Sequence, residues 1–182
     1  MLTFNFKPFP VLETERLLLR RITKKDADDI FTFRKEPEVM KYIGKPTAKS
    51  VKEVKDLIKR IDDGIKSNAN IAWGITLKNE DIVIGTIGYH TVEKEHYRAE
   101  IGYMLHPDFW NKKLAGEAIK AVIDFGFKTM NLHSIEAKLD AANIASKKLL
   151  VSQGFEKEAY FKENFFFEGK FVDTEVCSLI RK

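Results

Sequence analysis

Cysteine is almost missing from this chain. Cys177 stands alone among 182 residues, which excludes an intramolecular disulfide and a cysteine metal cluster. The four histidines, His90, His96, His106 and His133, do not fall at metal-ligand spacing. Long apolar runs are missing too, so no segment is expected to cross a bilayer. The opening MLTFNFKPFPVLE lacks the apolar region of a secretory signal, and a reducing cytoplasm is the expected location. Nor does one sign of charge dominate. The net charge of +4 suits a polyanionic cofactor but is too small to argue nucleic-acid binding. No repeat, low-complexity stretch or linker divides the chain, so one domain over 1–182 is expected, long enough for a sizeable core.

What is present is ordinary globular patterning, with 44% hydrophobic residues and fourteen phenylalanines. Thr14 to Arg21 reads as a first strand. Thr23 caps a helix with acidic residues in its early turns, and Pro37 is expected to end it. Val51, Val54, Leu57, Ile58, Ile61 and Ile65 recur at helical spacing, predicting an amphipathic helix over Ala48 to Ser67. Strands follow at Ile71 to Leu77, Ile82 to Thr91 and Arg98 to Leu105, the first two joined by an Asn79-Glu80-Asp81 turn. Leu114, Ala118, Ala121, Val122 and Phe125 mark a central helix. Ser134 to Asp140 is a strand, and Asn143 to Gln153 is a short helix stopping at Gly154. Phe155 to Tyr160, Asn164 to Phe167 and Asp173 to Ile180 complete the sheet, with Glu168-Gly169 as a turn. The expected fold class is a mixed α/β sandwich, mostly antiparallel, with helices on both faces. Trp73, Trp110, Phe31, Phe33, Tyr42 and the Phe165-Phe166-Phe167 run are read chiefly as packing residues.

The run AEIGYMLHPDFWNKKLAGEA, Ala99 to Ala118, carries the chemistry. It passes from strand through a Pro-marked loop to a helix opening on two lysines. The first amides of a helix have no intrahelical acceptor and sit at the positive end of its dipole, which favours an anion such as phosphate. Lys112 and Lys113 add charge there, and Ala115 and Gly116 let a bulky anion approach the backbone. Asn143 reads as an N-cap, with Ser146 one turn later.

The chain resembles the GNAT N-acetyltransferase superfamily, RimJ/RimL type. Four segments carry the likeness in order: LETERLLLR, VMKYIG with IGTIGYH, the Ala99–Ala118 run, and DAANIASKKLLVSQGFEKEA. The resemblance implies a GNAT fold with two splayed parallel strands, Arg98 to Leu105 and Ser134 to Asp140, and acetyl-CoA between them as cosubstrate. It implies that the backbone of Tyr103, Met104 and Leu105 pairs with the pantetheine amides. Lys112, Lys113, Leu114, Ala115 and Gly116 would hold the diphosphate, and Asn143 the pantetheine arm. Asn111 and Lys113 stand where the subgroup usually has glycine. A negative φ at Lys113 would suit the residue and let its ammonium help; a positive φ would weaken acyl-CoA binding.

Many relatives place a tyrosine acid seven residues after the motif asparagine, where this chain has Leu150. Ser146, or a water it holds, is then the candidate acid. Glu100 is the candidate base, on the strand face it shares with Gly102 and Met104, opposite Ile101, Tyr103 and Leu105. Glu117 resembles the family's glutamate within the central helix, and an ion pair or a solvated face is at least as much expected of it as a role in catalysis. Tyr42 and the segment before it match the family's acceptor cleft. An α-amine with pKa near 8 is neutral to about a tenth at pH 7, roughly a hundred times more than a lysine or polyamine amine near 10. The resemblance implies, as the leading expectation, transfer to the N-terminal α-amine of a protein or peptide, with ribosomal proteins the family precedent, and the lower pKa of an α-amine agrees with it. A small-molecule amine acetyltransferase and a non-catalytic acyl-CoA-binding domain are the alternatives. The expected partners are an amine acceptor and, at most, a second copy of the chain, with no nucleic acid, membrane or metal.

Overall fold

A computed structural model describes residues 1–182. Its elements are β1 (Leu12–Glu13), β2 (Leu17–Arg21), a 3-10 turn (Lys24–Asp26), α1 (Ala27–Arg34), α2 (Pro37–Met40), α3 (Val51–Lys66), β3 (Ile71–Leu77), β4 (Gly85–Glu93) and β5 (Arg98–Leu105). A second 3-10 turn (Pro107–Phe109), α4 (Leu114–Lys128), β6 (Ser134–Asp140), α5 (Ile144–Ser152), β7 (Glu156–Phe167) and β8 (Lys170–Ile180) follow. No helix is long and apolar enough to cross a membrane.

Local chemistry sets most of these boundaries. The Thr23 amide and hydroxyl both donate to Asp26 Oδ2, opening the turn that leads into α1. Arg20 grips the same carboxylate at 2.8 and 3.1 Å. Burial pushes the Asp26 pKa up, but Arg20 and Thr23 outweigh it and hold the carboxyl below its ordinary value. Ser50 caps α3 by accepting the Glu53 amide at 3.3 Å. Pro37 does not end α1. It is the first residue of α2, where its missing N–H costs no helical bond.

The sheet runs β1-β2-β3-β4-β5-β6-β8-β7. Every pairing is antiparallel except β5 with β6, whose parallel ladder covers only Arg98↔Ser134, Ala99↔Ile135 and Glu100↔Glu136. Beyond Glu100 the two strands part. β5 stays paired to β4 as far as Leu105↔Gly85, and β6 to β8 as far as Asp140↔Thr174. Each keeps its outer neighbour while the inner edges open into a fork.

The core has two layers. Leu114, Ala118, Ile119 and Val122 of α4 pack with Ile87, Tyr89 and Ile101 on one face. Ile30 and Phe33 of α1 and Val54 and Ile58 of α3 pack with Ile22, Ala72 and Val83 on the other. The predicted mixed sandwich with helices on both faces is therefore the fold observed.

Three readings are corrected by tertiary context. The strand predicted over Thr14 to Arg21 begins only at Leu17, because the Thr14 hydroxyl accepts the Leu17 amide at 2.9 Å and turns residues 14–16 away from the short β1. β7 is continuous through residues 161–165, where a register shift absorbs the predicted break. Phe165 and Phe166 are exposed, at 42% and 60%, because they lie on the β7–β8 hairpin beyond the helices that cover the sheet. The Glu168-Gly169 turn is as expected, with φ of 49° and 81° that match a two-residue hairpin loop.

The loop before α4 is left-handed at two side-chain-bearing residues, Asn111 (φ 60°) and Lys113 (φ 62°). Asparagine tolerates this region; lysine is strained there by about 1 kcal/mol. Lys113→Gly should therefore raise the melting temperature in thermal denaturation, while Lys113→Ala should not. Equal melting temperatures for wild type and the glycine variant would contradict the strain.

Candidate active site

The fork between β5 and β6 opens into a cleft of about 1390 Å³ that continues past α5 to the segment between α1 and α3. Glu100, Tyr103, Met104, Leu105, Lys113, Leu114, Ala115, Gly116, Asn143 and Ser146 all line it. Lys112 does not. Its ammonium lies 5.3 Å over the Phe109 ring and its carbonyl accepts Arg16 NH1 at 3.1 Å. Of the two loop lysines, the structure puts only Lys113 at the cleft.

At the α4 end, the first intrahelical bond runs from the Glu117 amide to the Lys113 carbonyl at 3.2 Å. The amides of Leu114, Ala115 and Gly116 precede it and have no helical acceptor. The left-handed backbone at Asn111 and Lys113 brings the chain into this helix start. Glu117 locks it from behind, accepting the Arg16 amide and Nε at 2.8 Å each, with a further bond from the Thr14 hydroxyl. Burial raises the Glu117 pKa, yet Thr14 and Arg16 outweigh it, so the carboxyl sits below its ordinary value. Glu117 is a structural tie and does not line the cleft. Gly116 also permits helix packing, since a Cβ there would lie 3.3 Å from Gln153 Nε2 and 3.4 Å from Leu149.

Midway along the fork, Tyr103 reaches from β5 to α5. Its hydroxyl and Ser146 Oγ are 2.7 Å apart. Asn143 Oδ1 accepts the Ser146 amide at 3.1 Å, so the predicted N-cap fixes the serine. Burial pushes the Tyr103 pKa up to about 12, which keeps it a proton donor. Trp110 Nε1 donates to the Leu105 carbonyl at 2.8 Å, so that carbonyl is already engaged and the indole walls the end of the strand.

At the closed end of the fork, charges alternate across the two strands. Lys138 Nζ lies 3.0 Å from Glu100 and 3.2 Å from Glu136, and Arg98 bonds Glu136. His90 lies beside Glu100 over Gly102, where a Cβ would stand 2.4 Å from the imidazole. Protein surrounds His90 on most sides although the cleft leaves the ring open to water. That desolvation lowers its pKa; Glu100 raises it, and Lys45 and Arg34 lower it further. His90 is therefore neutral near pH 7.

Sequence reasoning missed three side chains here. Tyr103 was expected to contribute backbone only, yet its hydroxyl meets Ser146. His90 falls inside the strand predicted over Ile82 to Thr91 and becomes recognisable only once Gly88 is known to pair with Gly102. Arg34 lines the cleft from α1 and was not singled out. Its signal was its place four residues after the buried Ile30, on the apolar side of the helix.

This geometry has counterparts among known proteins. An acetyltransferase (GNAT) domain model matches residues 16–156. The uncharacterised N-acetyltransferase YoaA of Bacillus subtilis (strain 168) is 36% identical over 173 residues, covering 95% of this chain and 98% of the relative. The crystal structure of a GNAT-family acetyltransferase from Bacillus anthracis superposes with a TM-score of 0.84 at 27% identity, over 94% of this chain and 98% of that one. The ribosomal L7/L12 alpha-N-protein acetyltransferase RimL, solved with coenzyme A, superposes with a TM-score of 0.86 at 15% identity, over 94% of this chain and 98% of that one. Two more distant relatives differ in the acceptor they are named for. The ribosomal protein uS5-alanine N-acetyltransferase of Escherichia coli (strain K12) is 28% identical over 65% of this chain and 62% of its own length. The spermidine N(1)-acetyltransferase of Vibrio cholerae is 24% identical over 88% of this chain and 90% of its own length. With its forked sheet and a family match spanning most of its length, the chain belongs to the GNAT acetyltransferases.

Proposed function

We propose that this N-acetyltransferase moves an acetyl group from acetyl-CoA to a primary amine, with the α-amine of a peptide or protein N-terminus as the leading acceptor. The observation that carries this reading is the fork: two strands part after three paired residues, beside a helix whose first amides are free. Unpaired inner edges suit an amide-bearing arm, and the free amides of the helix start suit a diphosphate; the positive φ of Lys113 is the case expected to weaken that grip relative to glycine. Acetyl-CoA supplies the thioester carbon.

The amine nitrogen forms a bond to that carbon, the C–S bond breaks, and the amine gives up a proton. The Glu100–His90 pair takes the proton. Lys138 holds Glu100 in place at 3.0 Å, and neutral His90 offers a ring nitrogen beside it. Tyr103, with its pKa pushed up to about 12, does not surrender its proton to a thiolate whose own pKa is about 8.5. It donates a hydrogen bond instead, directly or through Ser146, and stabilises the leaving sulfur. A neutral nucleophile is needed, and an α-amine with pKa near 8 supplies about a hundred times more of it at pH 7 than an amine with pKa near 10.

Thiol release from acetyl-CoA, measured across N-terminal peptides, amino acids, polyamines and aminoglycosides, tests the reading. Turnover is expected with peptides that have a free α-amine and none with N-blocked copies. Stoichiometric acetyl-CoA binding without thiol release on any amine would make the chain a binding domain. Tyr103→Phe should lower kcat about tenfold, the worth of one hydrogen bond of roughly 1.4 kcal/mol, and leave the KM for acetyl-CoA unchanged. An unaltered kcat would remove Tyr103 from the reaction.

The pH profile separates the two proton acceptors. A base works only when deprotonated, and burial lowers the His90 pKa, so a His90-limited rate falls on the acid side, at a pH below the ordinary histidine range. Loss of that acid limb in His90→Gln, with its survival in Glu100→Gln, assigns the proton to His90. The reverse pattern assigns it to Glu100.

A further inference from the structure

The acceptor half of the cleft carries more positive than negative charge. Arg34, Lys41, Lys45 and Arg60 line it, against Glu38 and Glu53. Glu53 is engaged by its own helix start, accepting the Lys49 amide at 3.0 Å. Lys41 rests over the Tyr42 ring at 5.0 Å. The arginines that form ion pairs are Arg16, Arg20, Arg21 and Arg98; Arg34 and Arg60 form none.

Arg34 is the unusual member. It leaves the last turn of α1 and enters the cleft half-buried, and its NH1 donates only to Met104 Sδ at 3.5 Å, a weak acceptor. Burial, and then the like charge of Arg60, hold its pKa below the ordinary arginine value. A guanidinium does not escape by losing its proton, since arginine stays charged in proteins. Two cations therefore face the cleft without an ion-pair partner, Arg34 among them half-buried, an arrangement an arriving anion would relieve. The planar guanidinium fork matches a carboxylate with two parallel hydrogen bonds.

The position decides which substrate brings that anion. Met104 packs with the α1/α3 layer and Tyr103 with the α4 layer, so Arg34 lies across β5 from the helix start proposed for the diphosphate. His90, whose charge balance Arg34 and Lys45 both affect, lies on the Arg34 side. The anion thus arrives with the amine.

We propose that the acceptor is an amine bearing a carboxylate, held by Arg34 with Arg60 and Lys45 on the approach, while its amine rests beside Glu100 and His90. This rests on the acetyl-transfer reading above. The same cations oppose a polyamine, whose charges would meet like charges in the cleft. A free amino acid and a peptide with an acidic residue near its N-terminus both supply the group.

Initial rates of thiol release from acetyl-CoA, expressed per neutral amine, test the proposal. The acceptors are alanine against alaninamide, and peptides carrying Asp or Glu near the N-terminus against their Asn or Gln copies, with spermidine as the cationic control. In the wild type, kcat/KM should favour the carboxylated member of at least one pair about tenfold. Preference within the alanine pair identifies a free amino acid as the source, and preference within the peptide pairs an acidic N-terminus. Arg34→Gln should abolish the preference and Arg34→Lys retain part of it, both with an unchanged KM for acetyl-CoA. Arg60→Gln, an exposed change on α3, should weaken the preference and covers the case in which the Arg34 variants fail to fold. Equal rates within every pair, a preference untouched in the folded variants, or spermidine as the best acceptor would overturn the subsite and leave acetyl transfer standing. Absence of thiol release with every amine would overturn both.

Discussion

Two parallel strands that stay hydrogen-bonded for only three residues govern everything else in this protein. β5 and β6 are joined at Arg98, Ala99 and Glu100 and then diverge. Buried backbone amides and carbonyls need partners, so a fork survives only because each strand keeps a full antiparallel ladder on its outer edge. The closed end is held by a run of alternating charges from Arg98 through Glu136 and Lys138 to Glu100. This leaves one line of unpaired backbone at the centre of the sheet, open to a ligand that can pair with it. α4 and α5 flank one side of that opening, and α1 and α3 the other.

The side toward α4 is built for negative charge by the backbone more than by side chains. The helix start presents free amides and the positive end of a dipole, whereas the Lys112 side chain lies over Phe109. Left-handed conformations at Asn111 and Lys113 show that the loop keeps the path glycine would allow without having glycine. The Thr14–Arg16–Glu117 tie secures α4 to the β1–β2 turn, so helix position and loop path are fixed together. The side toward α1 and α3 carries its charge on side chains, and its cations come from α1, α3 and the segment between them.

Much of this was legible in the chain. The period of Val54, Ile58 and Ile65 gave α3, and the alternation of β5 put Glu100, Gly102 and Met104 on one face. Asn143 was correctly placed as a cap because its amide oxygen needs only the backbone three residues on. Pro37 was misjudged because proline both stops one helix and starts the next, and which it does depends on where the following turn packs. The Phe165–Phe167 run was misjudged because aromatic composition does not reveal whether a hairpin is covered.

The sequence by itself determined the fold class, the helix faces and the strand-loop-helix order from β5 to α4, and all but one of the residues predicted at the site line the cleft. Those features are local, set by period, capping and turn chemistry within a few residues. Tertiary structure alone decided the sign of φ at Lys113, the Tyr103–Ser146 contact, the seat of His90 over Gly102 and the convergence of Arg34 with Arg60. Each joins residues separated along the chain or depends on the packing around them. Strand register and helix packing make those meetings, and neither can be read from a window of neighbouring residues.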